Sequence, residues 1–215
     1  MRSGHWTEVR RRSASLVAGT PRPGLFFSAD GKWEVSFPLR LTKTQYAYFV
    51  TCVKDLLRSD DVRSMGRFPQ HADISTLEHS FSVAYVSFWV CESFHLSVDR
   101  RSLIRGAMLH DFFLYDWHSG AGDRRGLHGF THPRTALRNA ERLFSLTDRE
   151  KDIIVKHMWP LTPALPKYGE SYLVSAADKY CSFVETVRHR PVVRMARCLT
   201  GQATDGVPPL SGRAV

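Results

Sequence analysis

Leu103-Ile104-Arg105-Gly106-Ala107-Met108-Leu109-His110-Asp111 is the stretch on which the fold turns. Leu103, Ile104, Ala107, Met108 and Leu109 form an apolar, helix-like run, and His110-Asp111 ends it. Asp99 is placed to cap the start, because a short side-chain oxygen there accepts an otherwise orphaned backbone N–H. The pattern repeats on both sides. Tyr46, Phe49, Val50, Val53, Leu56 and Leu57 predict a helix from Thr42 to Leu57. Ser75-Thr76-Leu77-Glu78 is a capping box that opens a helix to about Phe94, apolar almost all round and therefore central. Pro133 fits the first position of a further helix, with His132 at its start. Thr147-Asp148-Arg149-Glu150 opens another through His157, ended by Pro160, Pro163 and Pro166. A last one spans about Ser171 to Arg188. The expected fold class is all-α, a helical bundle.

The bundle occupies residues 41–199 in this reading. Residues 1–40 form an irregular basic arm, broken by Gly and Pro, with a strand-like run at Trp33, Val35 and Phe37. Residues 200–215 read as a flexible tail. A loop is expected around Gly66 and Pro69. The stretch from Asp111 to His132, rich in Gly, Arg and His, is long for a loop in a compact domain, and such loops are commonly functional.

Composition narrows the class. Hydrophobic residues make up 43% of the 215, enough for a core. No apolar run approaches the ~18–20 residues of a membrane helix, and no signal-type apolar stretch follows the basic start, so a cytoplasmic protein is expected. A basic, Ser-containing start also fits an organellar transit segment. Cys52, Cys91, Cys181 and Cys198 form no CxxC pair, which argues against a thiolate zinc site and for buried thiols. The net charge of +9 suits an anionic partner: a phosphorylated small molecule, nucleic acid or an anionic surface. No helix-turn-helix or aromatic RNA-binding pattern strengthens the nucleic-acid case.

Six residues stand out chemically: His79, His110, Asp111, His132, His157 and Asp178. A histidine or carboxylate on a buried helix needs a partner. Taken singly, each has an ordinary structural explanation. Together they are the imidazole-carboxylate set that binds Zn, Mn, Fe and Ni.

The order His79, His110-Asp111, Asp178 over helices resembles the HD-domain metal-dependent phosphohydrolases, a superfamily marked by its adjacent His-Asp pair. The resemblance covers roughly Thr42 to Arg188. His132-Pro133 and His157 match the extra histidines of its branches that bind two metals. It implies that His79, His110, Asp111 and Asp178 hold one divalent ion, and that Asp111 bridges to a second held by His132 and His157. The two would be Mn, Fe, Ni, Zn or Mg. His128 competes with His132 for that place, and a single-ion site is the nearest variant. The chemistry agrees: a bound ion lowers the pKa of water towards ~7, and two ions ~3.5–4 Å apart clamp a phosphate ester. Asp111 is then central to catalysis, and His118 or His128 is the expected proton donor. Arg124, Arg125, Lys156 and Lys179 are candidate cations for the phosphate. The substrate does not carry over: Met158-Trp159-Pro160 follows His157, without the Gly-Tyr-Pro segment of the cyclic-dinucleotide phosphodiesterases. The rival from another class is a regulatory module that binds a phosphorylated ligand or nucleic acid. Oligomers remain open.

Overall fold

A computed structural model describes residues 24–27, 33–36, 39–71, 74–116 and 128–186. The chain falls into two units, Met1–Arg40 and Leu41–Val215. In the first, β1 (Gly24–Phe27) pairs antiparallel with β2 (Trp33–Ser36), with Leu25 opposite Val35 and Phe27 opposite Trp33. The alternation at Trp33 and Val35 is therefore a strand, and it finds a partner that the Gly- and Pro-rich sequence did not announce. The remainder of the arm before Leu39 and the tail from Thr200 lie outside the described residues.

The second unit is all-α. Its described helices are α1 (Lys43–Leu57), α2 (Asp60–Ser64), α3 (Thr76–Ser93), α4 (Arg100–Leu109), α5 (His128–Leu143), α6 (Asp148–Lys156) and α7 (Gly169–Thr186). The sequence signals that start them are made. Thr42, Ser75 and Thr147 each form a full capping box, with Gln45, Glu78 and Glu150. Asp99 accepts the Ser102 N–H at 3.0 Å. Where a loop was expected around Gly66 and Pro69, a 3-10 turn (Met65–Arg67) leads into β3 (Pro69–His71), which pairs with β4 (Ile74–Ser75).

α3 is the centre. It packs chiefly against α4 and α7, and nearly every side chain from Thr76 to Trp89 is buried. Phe49 of α1 meets Phe81 and Tyr85 edge to face at 5.3 and 5.4 Å, contacts worth roughly 0.5–1.5 kcal/mol each beyond burial. α4 continues onto α6, and α6 onto α5 and α7. Gly106 is what lets α4 lie so close to α6: a Cβ there would stand 2.6 Å from Ile153 Cδ1 and 3.0 Å from Ile153 Cβ. Cys52, Cys91 and Cys181 are buried free thiols. Among the described residues no helix is long and apolar enough to cross a membrane.

The α5 boundary differs from the expectation. α5 begins at His128, so Pro133 lies inside it and His132 is a helical residue rather than its start. A proline this near an N-terminus forfeits one backbone hydrogen bond, and burial of Ala136 and Ala140 on the same helix outweighs that loss.

Candidate metal centre

Three helices and the C-terminal ends of two others deliver six side chains to one place. His79 stands in the first turn of α3, His110 caps the C-terminus of α4 and Asp111 follows it. His132 comes from α5, His157 caps the C-terminus of α6, and Asp178 lies in α7. All six are buried, between 0 and 7% exposed, although every one carries a polar tip. Behind Asp111 the chain is clamped: Asn139 Nδ2 donates to the carbonyls of Phe112 and Phe113 at 2.9 and 3.2 Å. Leu114 then takes a left-handed φ of 61°, turning the chain.

The two oxygens of Asp111 address different histidines. Oδ2 lies 3.4 Å from His110 Nε2 and 3.9 Å from His79 Nε2. Oδ1 lies 3.2 Å from His132 Nε2 and 3.6 Å from His157 Nε2. Asp178 Oδ1 closes the first side, 3.1 Å from His79 Nε2 and 3.8 Å from His110 Nε2. On the second side His132 and His157 bring their Nε2 atoms to 2.8 Å. Donors bound to one ion at ~2.0–2.2 Å stand ~3.0–3.5 Å apart, and these separations scatter about that range.

The tautomers are set for ligation. His110 Nδ1 donates to the Ala107 carbonyl at 2.6 Å, and His157 Nδ1 to the Ile154 carbonyl at 2.8 Å. Each bond leaves the Nε2 lone pair aimed inward. His110 Nε2 and Asp111 Oδ1 are buried and make no hydrogen bond among the described residues. Unpaired buried polar atoms are costly, and a cation bound beside each would remove the cost. His79 carries a carboxylate on each nitrogen, Glu185 Oε2 on Nδ1 at 2.8 Å and Asp178 Oδ1 on Nε2. A cation in place of the Nε2 proton keeps both contacts and leaves the Nδ1–H on Glu185.

Electrostatics follow from this crowding. Burial pulls the His79 pKa down, but hydrogen bonds to Asp178 and Glu185 hold it well above its ordinary value. For His110 burial again opposes, and the Asp111 charge raises it. His157 goes the other way: burial, then the charges of His110 and His132, push it down to about 3, so it is a neutral ligand-type imidazole. Asp111 and Asp178 resist the upward push of burial and stay far below the usual carboxylate range, because imidazoles surround both. Both carboxylates are therefore ionised. Two buried groups among the described residues could hold a metal ion, His79 with His110 and Asp178, and His110 with Asp111 and His157.

All six expected ligands thus meet. His118, Arg124 and Arg125 lie outside the described residues, and His128 belongs to α5 with its side chain outside them. Lys156 is turned away, paired with Asp152 at 2.9 Å. Two residues went unflagged in the sequence. Glu185 lies two helical turns beyond Asp178 and on its face, a spacing that marks it in retrospect. Gln70 of β3 donates to Asp111 Oδ2 at 2.8 Å; no motif precedes it, since it depends on the short ribbon. A cavity of about 290 Å³ opens onto the cluster, with Asp111, His132, His157 and Asp178 in its wall beside Gln70, Met158, Leu161 and Lys179. No protein-family model, curated protein or solved structure matches this chain.

Proposed function

We propose that this chain is a metal-dependent phosphohydrolase of the HD-domain kind, acting on a nucleotide or another small phosphate ester. The observation that carries the reading is Asp111: one buried carboxylate with one oxygen among His79 and His110 and the other among His132 and His157, at the floor of an open cavity. The two nitrogens of an imidazole point to opposite sides of its ring, whereas the two oxygens of a carboxylate lie side by side and can serve two neighbouring groups.

In this reading His79, His110, Asp111 and Asp178 hold one divalent ion, and Asp111, His132 and His157 hold a second. When bound, such ions neutralise phosphoryl oxygens and activate water for attack on phosphorus. The chain's own part is placement. Ala107 and Ile154 fix the rings of His110 and His157, Glu185 fixes His79, and Gln70 holds the Asp111 carboxylate. Protonation of the leaving oxygen falls to His128, one turn before His132 on α5, or to His118. The cavity of about 290 Å³ sits at the lower end of the ~300–1,000 Å³ typical of small-molecule pockets, which favours a compact ester over a polymer.

Elemental mass spectrometry of the purified chain, beside hydrolysis of aryl phosphates and a nucleotide panel, tests the reading. About two ions per chain, turnover lost on chelation, and loss of both in His110→Ala and Asp111→Ala with helical circular dichroism retained are expected. No metal uptake and no turnover after reconstitution with Mn, Fe, Ni, Zn or Mg would end the enzyme reading and leave a binding module.

A further inference from the structure

The cavity above the cluster contains one cation among its described lining residues, Lys179. Other basic side chains among the described residues are committed to carboxylates elsewhere. Arg105 lies on Glu150 at 2.6 Å and Arg149 on Glu170 at 2.8 Å. Lys156 and Lys167 line a separate cavity beside Asp148 and Asp152. Lys179 is different in kind. It is half-buried, with 34% of its side chain exposed, and its Nζ sits between two residues of the cluster, 2.5 Å from the His157 carbonyl oxygen and 3.2 Å from Asp178 Oδ2.

Adjacent residues on a helix point about 100° apart, so Lys179 and Asp178 do not face each other by default. The side chain has curled back across α7 to put its charge at the rim of the cavity. An ammonium has three N–H donors. Two are used by the His157 carbonyl and Asp178, and the third is available to a group entering the cavity. The two contacts hold the nitrogen still, as a fixed charge must be held to act without reorganisation. Charge in phosphoryl transfer spreads over three equatorial oxygens, so a cation supplied by the protein would add to the charge that bound ions would neutralise.

We propose that Lys179 is a catalytic residue of the site, binding a non-bridging oxygen of the substrate's phosphoryl group from the rim of the cavity while His157 and Asp178 orient it. This deepens the phosphohydrolase reading and rests on it. The competing role is purely structural, with Lys179 capping the C-terminal carbonyl of α6.

The test titrates inorganic phosphate into the metal-loaded full-length chain by calorimetry, for wild type, Lys179→Met and Lys179→Arg, with metal content and thermal midpoint measured in parallel. A charge-assisted hydrogen bond lost in Lys179→Met weakens phosphate by about 10- to 100-fold with metal content unchanged. Lys179→Arg, which keeps the charge, retains most of the affinity. Metal-loaded Lys179→Met that binds phosphate as wild type does, whatever its thermal midpoint, overturns the proposal and leaves the cap. So does equal loss of affinity in the Met and Arg variants. Wild type that takes up no metal overturns the metal reading and this proposal with it, an outcome the elemental analysis separates from the others.

Discussion

Replacing Gly106 by Ala probes the packing that sets the metal centre. Ala is the better helix former by roughly 1 kcal/mol, so in an exposed helix the change stabilises. Here the new Cβ would meet Ile153 Cδ1 at 2.6 Å and Ile153 Cβ and Cγ2 each at 3.0 Å. Carbon atoms prefer ~3.5–4.0 Å. Turning Ile153 about its outer bond can move Cδ1. It cannot move Cβ, which the α6 backbone carries, and a β-branched side chain in a helix has one favoured first rotamer. The two helices must therefore separate, and overpacking of this sort costs about 1–3 kcal/mol. Set against the propensity gain, the net loss is up to about 2 kcal/mol, or up to roughly 8 °C in Tm for a body of this size. The consequence reaches the site because Gly106 stands one turn before His110 and Ile153 one turn before His157. Those rings now lie 4.8 Å apart, and splaying the helices weakens metal binding as well. Chemical denaturation and metal titration measure the two effects. Ile153→Ala removes both clashing methyl groups, so it should cost less in the Gly106→Ala background than alone, a coupling of about 0.5–3 kcal/mol. Gly106→Ala that raises stability, with additive behaviour in the double variant, would refute the reasoning.

Glu185→Gln keeps the shape beside His79 but removes the charge; a 10- to 100-fold rise in the metal dissociation constant, read by competition with a chelating dye, is the expected size for such a partner of a ligating histidine. Arg105→Leu strips the buried Glu150 carboxylate of its cation and should cost about 3–5 kcal/mol in urea denaturation, much of it recovered when Glu150→Gln is added. Asp152 ties the start of α7 to α6, accepting from the Lys167 and Tyr168 N–H groups and from Ser171 Oγ. Burial pushes its carboxyl up, but Lys156, Ser171 and the Lys167 N–H outweigh that and hold it below its ordinary value of 3.8. A depressed carboxylate stabilises the fold above the unfolded pKa and loses that contribution as pH falls through the folded one. The stability gap between wild type and Asp152→Asn should therefore be constant near neutrality and close under acid; a gap unchanged down to about pH 2, below the unfolded carboxylate range of ~3.9, would show that the ionised form is not what matters.

Helix starts were legible because they are local. A capping box needs only four consecutive residues, and those at Ser75 and Thr147 put His79 and His157 within a turn of their observed places. The six clustered residues were legible because a buried His or Asp on an apolar helix face is conspicuous. What could not be read depends on distant pairs. β3 exists only through its pairing with β4, so Gln70 had no signal, and β1 was hidden until β2 lay beside it. Pro133 misled because a proline marks where a helix can start, not where it must, and the buried alanines downstream decided the matter.

The cluster also shows how one packing solution sets ligand geometry twice. α4 and α6 each end on a histidine, His110 and His157, and each histidine donates Nδ1–H to the carbonyl three residues earlier. That carbonyl belongs to a helix's last turn, where it lacks an intrahelical partner. A single bond thus satisfies an orphan of the helix end and fixes the tautomer that points Nε2 inward. The contact of Gly106 with Ile153, one turn back on each helix, then fixes the distance between the two rings. Ring orientation is set by each helix end, and ring separation by the depth of one side chain against a glycine. It follows that a change at either packing residue should loosen both ligands together, whereas a change at Glu185 should loosen His79 alone.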